Sequence, residues 1–93
     1  MTIETDPNER VLQTGIDLPD DRVYYFNSFA CAISATDVLI VLQRNGKSIT
    51  TLNCSYSMAK TLANGLVGLI GDLEKKIGRQ IEPVDQIQKF LSQ

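Results

Sequence analysis

Five consecutive apolar residues, Val38-Leu39-Ile40-Val41-Leu42, followed by Asn45-Gly46, constrain this chain more than anything else in it. An unbroken apolar run bounded by polar residues is the mark of a strand covered on both faces. Asn-Gly is the dipeptide best suited to the two positive φ angles of a type I′ hairpin turn. The run therefore doubles back, and Ser48 to Cys54 is expected as the returning strand. Val23 to Ile33, rich in aromatic and small residues and without Gly or Pro, is expected as a third strand. It joins the central run through a short turn at Ser34-Ala35-Thr36. The economical arrangement is a three-stranded antiparallel meander.

The periodicity then changes. Leu62, Leu66, Leu69, Leu73 and Ile77 recur at helical spacing, with Ala59, Ala63 and Ile70 on the same side. Ser55 is a good N-cap, Gly78 suits the C-terminal cap, and Lys75 and Lys76 sit where cations favour the helix dipole. Pro83 fits the first turn of a shorter helix, Pro83 to Leu91, edged by Val84, Ile87 and Phe90 or Leu91. The expected fold class is α+β: a three-stranded antiparallel β-meander followed by a long amphipathic helix and a short C-terminal helix. Residues 22–93 are expected to form a single domain. Residues 1–21 are expected to form a polar, partly flexible leader, with Val11, Leu12, Ile16 and Leu18 able to dock part of it on the body.

The two turns predict a register. A two-residue loop at Asn45-Gly46 sets Leu42 opposite Ile49 and Leu39 opposite Leu52; a loop at Ala35-Thr36 sets Ile33 opposite Val38 and Cys31 opposite Ile40. One face then carries Phe29, Cys31, Ile33, Val38, Ile40, Leu42 and Ile49. The other carries Ala30, Ala32, Leu39, Val41, Leu52 and Cys54. Both faces are apolar, and one helix stripe covers only one of them. The surplus must meet the short helix, the leader or another chain, because a large apolar patch seldom stays open to water. This predicts self-association, as a homodimer or a higher oligomer. It also places Cys31 and Cys54 on opposite faces, which forbids a disulfide between them.

The long helix carries glycines on the side away from its leucines. Gly68 and Gly71 lie there with Asn64, and Gly65 lies at the flank. Each interior Gly costs about 0.8–1.0 kcal/mol relative to Ala. Either a second backbone approaches this smooth side closely, or the side faces solvent on a helix held by its other face. Candidate interface residues are accordingly Leu39, Val41 and Leu52 on the sheet and Gly68 and Gly71 on the helix.

Chemistry is hard to find. The chain has no His, which removes imidazole bases, histidine metal ligands and a Ser-His triad. Two cysteines far apart make no zinc site and no disulfide framework, and read as small buried hydrophobes of a reducing compartment. Asp17, Asp20 and Asp21 lack the spacing of a calcium loop, and the helical glycines lack the lysine of a phosphate loop. Tyr24, Tyr25, Phe26 and Phe29 have no flanking basic residues of the kind a base-stacking platform uses. A net charge of −2 attracts no phosphate backbone, so nucleic acid is not an expected partner. Leu62 to Leu73 contains Asn64 and Asp72 and falls short of the ~20 residues a membrane span needs. Thr2 to Arg10 is polar, unlike a secretory signal. The expectation is a soluble cytoplasmic protein, not an enzyme, with no catalytic residues, no cofactor, no metal and no membrane partner.

Tyr25-Phe26-Asn27, Phe29, Ser34 and Asp37 resemble the Y-x-N-x-x-x-V-x-x-S-x-x-D opening of a small bacterial family, the domain of unknown function numbered three-four-six-seven. The helix start Ser55-Tyr56-Ser57-Met58-Ala59-Lys60 is similar to that family's S-P-x-x-A-K. Leu62, Leu66, Ile70, Glu74 and Gly78 fall in step with its L-x-x-x-L-x-x-x-I-x-x-x-E-x-x-x-G helix. The likeness spans about residues 24–81. Tyr56 replaces the family's first-turn Pro, Ala35 replaces the Pro after Ser34, and Gly68 and Gly71 sit where the family is polar or charged. The resemblance implies a short sheet with a helix and supplies no catalytic residue. The functional expectation is a homo-oligomeric interaction module that also meets another protein. The alternative is a chaperone-like binder of small apolar ligands or unfolded peptide on an apolar sheet face.

Overall fold

The computed structural model describes residues 6–84. Along them run α1 (Pro7–Asp17), a 3-10 turn (Asp20–Arg22), β1 (Ser28–Ile33), β2 (Val38–Arg44), β3 (Lys47–Cys54) and α2 (Tyr56–Ile77). The strands form one sheet in the order β1-β2-β3, so the α+β meander followed by a long helix stands. The short helix expected from Pro83 to Leu91 lies, beyond Val84, outside the described residues.

The chain falls into two compact units. One comprises Met1–Ala32 and Leu39–Asn53; the other comprises Ile33–Val38 and Cys54–Gln93. In the first, α1 is a helix inside the segment expected as a polar leader. Its start is chemically clear: the Asp6 carboxylate accepts the Asn8 amide at 3.0 Å, and Pro7 occupies the first turn, where its missing N–H costs nothing. No residue of α1 is buried, and Val11 and Ile16 are strongly exposed.

Asn45 (φ 53) and Gly46 (φ 82) both adopt positive φ, as a type I′ turn requires, so the β2–β3 register is the expected one. The β1–β2 connection is closed differently. The Ser34 amide donates to the Asp37 carbonyl at 2.8 Å, and the Ser34 hydroxyl oxygen accepts the Asp37 amide at 2.9 Å. That pairing sets Ile33 opposite Val38 and, further along, Ser28 opposite Gln43. The Ser28 hydroxyl donates to Gln43 Oε1 at 3.2 Å, as opposed residues do. Asn27, one residue earlier, also addresses Gln43, donating its amide to the carbonyl at 3.0 Å. Two residues against one is a β-bulge. It ends the ladder, and for that reason β1 begins at Ser28 and not at Val23 as expected.

In the second unit, α2 has the caps its sequence calls for. Ser55 Oγ accepts the Met58 amide at 3.1 Å, and Gly78 takes the left-handed conformation (φ 72) that closes the helix. Lys75 and Lys76 occupy the last turn.

Coverage is uneven. β2, flanked on both sides, is half-buried from Val38 to Val41, and Leu42, 7% exposed, is the one buried hydrophobic side chain among the described residues. β1 is exposed along its whole length, and α2 has no buried residue at all.

Candidate functional site

The residues with the most specific partners are fasteners of the backbone. At one end of the sheet, Asn27 Nδ2 donates to Asn45 Oδ1 at 3.0 Å, and the Asn45 amide donates to Asn27 Oδ1 at 3.1 Å. Asn27 thereby clamps the positive-φ residue of the hairpin turn from the neighbouring strand end. At the other end, Ser34 folds its own turn over Asp37. Its carbonyl accepts the hydroxyl of Tyr56 from the first turn of α2. At the end of α2, the Glu74 carbonyl accepts the amides of Gly78 (2.9 Å) and Arg79 (3.2 Å), while Glu74 Oε2 accepts the Ile81 amide at 2.8 Å. One half-buried glutamate thus holds the helix terminus and the segment that leaves it. Of the pattern noted above, Asn27, Ser34, Ser55 and Glu74 hold main-chain groups through their side chains, Asp37 is held through its own amide and carbonyl, and Gly78 closes α2 with its left-handed backbone.

The candidate interface residues divide between the two units. The hairpin register brings Leu39 and Leu52 opposite each other with Val41 on the same face; Leu39 and Val41 are half-buried and Leu52 is exposed. Gly68 and Gly71 lie in α2, in the other unit. A Cβ built at either glycine, or at Gly65, meets no atom within 4 Å. Among the described residues, nothing packs closely against that side of α2.

Cys31 and Cys54 are both free thiols; Cys31 is exposed and Cys54 is half-buried, so neither is the buried packing residue expected. Cys31 lies on β1, whose residues are all exposed, and Cys54 is the last residue of β3. No group of three or more Cys, Asp or Glu among the described residues is placed to hold a metal ion. Asp17 is engaged by Gln13 Nε2 at 3.0 Å along α1, and Asp20 and Asp21 begin the 3-10 turn. No helix among the described residues is long and apolar enough to cross a membrane.

What the sequence reading missed is α1 and the bulge. The Asp6-Pro7 pair with Glu9 behind it is a helix-start signal, and Asn27, a poor strand former inside an aromatic run, marks the bulge. No family model, curated protein or solved structure matches the chain.

Proposed function

We propose that this protein is a non-enzymatic homo-oligomeric interaction module of the cytoplasm, a homodimer or higher oligomer whose assembled form presents a surface to another protein. One observation carries the proposal: a chain with a five-residue apolar strand core and a full leucine stripe has a single buried hydrophobic side chain among its described residues. A folded domain of this size ordinarily buries well over half of the surface its unfolded chain exposes.

The magnitudes favour association. Leu62, Leu66, Leu69, Ile70, Leu73 and Ile77 are each between 44% and 61% exposed. Covering the exposed half of such a side chain is worth about 0.7–1.5 kcal/mol. Six of them contribute about 4–9 kcal/mol per chain, hence about 8–18 kcal/mol for a pair. Association costs about 4–15 kcal/mol in lost freedom. The sheet face of Leu39, Val41 and Leu52 adds to the favourable side.

Kinship with the domain-of-unknown-function family belongs to the same proposal and brings no activity with it. Its support is that the shared residues occupy turns, caps and a strand end, where a common backbone needs them.

Light scattering from nanomolar to high-micromolar concentration tests the proposal. The expected mass is at least twice 10.3 kDa and persists on dilution. A concentration-independent monomer that binds a hydrophobic dye overturns self-association and favours a binder of apolar ligands or unfolded peptide.

A further inference from the structure

The edge of a sheet is a row of backbone donors and acceptors without partners, and soluble proteins guard such rows with charge, proline or bulges. The two edges here differ. β3 opens with Lys47 and carries Ser48, Thr50, Thr51 and Asn53. β1, Ser-Phe-Ala-Cys-Ala-Ile, has no charge and no proline, its bulge lies at its very start, and every residue in it is exposed. Its inner side is taken by β2, and among the described residues its outer side has no strand neighbour.

The register decides which groups point outward. Ser34 pairs with Asp37 and Ser28 with Gln43, so the even-numbered residues of β1 turn their amides and carbonyls toward β2. Phe29, Cys31 and Ile33 turn theirs toward the open edge. An antiparallel partner must pair outward-facing residues with outward-facing residues. A second β1 does so about a two-fold axis at Cys31, setting Phe29 opposite Ile33 of the second copy, Ala30 opposite Ala32, and Cys31 opposite Cys31. Phe29 (62% exposed) and Ile33 (79% exposed) are the two largest apolar side chains of the strand, and this register covers both at each end. Aromatic against β-branched is a favoured cross-strand pair. The two-fold operation also uses up the unguarded edge, so assembly stops at two chains.

Resting on the self-association proposed above, we infer that two copies join β1 to β1 in antiparallel register about Cys31, forming one continuous six-stranded sheet. Such a join also runs the apolar faces of the two sheets together.

The test uses the full chain carrying Cys54→Ser, so that Cys31 is the only thiol. Solution mass is measured first, and a short bis-maleimide is then applied. The expected result is a dimer by mass and a covalent dimer on a denaturing gel. Ile33→Lys in the same background is expected to abolish both; circular dichroism reports whether its secondary structure is kept, and the cross-link in the unsubstituted strand stands as evidence if it is not. A dimer whose Cys31 residues do not cross-link, and which Ile33→Lys leaves dimeric, overturns the edge pairing while self-association stands. A monomer at every concentration overturns both.

Discussion

Replacing Gly68 by alanine is expected to stabilise this protein, and the size of the effect follows from its surroundings. Gly68 lies in the interior of α2, far from both caps, and its φ is not positive. A Cβ added there meets nothing within 4 Å, so no clash offsets the gain in helix propensity. That gain is about 0.8–1.0 kcal/mol. In a domain of this length it corresponds to roughly 4–8 °C in melting temperature. A Cβ at Gly65 or at the half-buried Gly71 likewise meets nothing within 4 Å, so the triple alanine variant is expected to gain about 2.4–3.0 kcal/mol. The assay is urea denaturation followed by helical circular dichroism, at one fixed protein concentration, because the stability of an oligomer depends on concentration. Mass by light scattering is read in parallel and is expected not to change. A loss of stability on Gly68→Ala, or a fall in mass, refutes the reasoning. It would show that a second backbone lies against this side in the assembly, as required if Gly68 and Gly71 belong to an interface.

Asn27→Ala removes both side-chain bonds to Asn45 and is expected to cost about 1–2 kcal/mol, with faster amide exchange at the β2–β3 turn as the local readout. Tyr56→Phe deletes only the hydroxyl that donates to the Ser34 carbonyl, for about 0.5–1.5 kcal/mol by denaturation midpoint. Ser55→Ala removes the N-cap of α2 and is expected to cost about 1 kcal/mol, with lost helicity confined to the first turn by carbon chemical shifts.

The strands and the long helix were readable because their signals are local. Val38 to Leu42 fixes a strand by composition, Asn45-Gly46 fixes the turn by φ, and Ser55 and Gly78 fix the helix ends by their backbone needs. The start of β1 was not readable, because it depends on a non-local contact. Asn27 reaches across to Asn45, eighteen residues away, and the bulge this accompanies ends the ladder before the aromatic run does. Coverage was harder still. Strand periodicity says which side chains share a face, but not what lies over that face. The long helix, expected to cover one side of the sheet, has no buried residue in a single chain.

That last fact bears on what holds the molecule together. Hydrogen bonds at turns and caps define conformation, yet a typical one contributes only about 0.5–1.5 kcal/mol net. Ordering the backbone costs about 1–2 kcal/mol per residue. Across the twenty-two residues of α2 alone, that cost is far beyond what Ser55, Tyr56, Glu74 and Gly78 supply at its two ends. The helix's own backbone hydrogen bonds offset part of this and burial must supply the rest, yet within one chain the Leu62, Leu66, Leu69, Ile70, Leu73 and Ile77 side chains stay 44–61% exposed and none is fully buried. Folding and assembly are therefore expected to be one coupled step. Diluting the protein below its dissociation constant should then lower the helical circular dichroism signal together with the mass. A separated monomer that retains the full signal would mean that α2 needs no partner to stay folded.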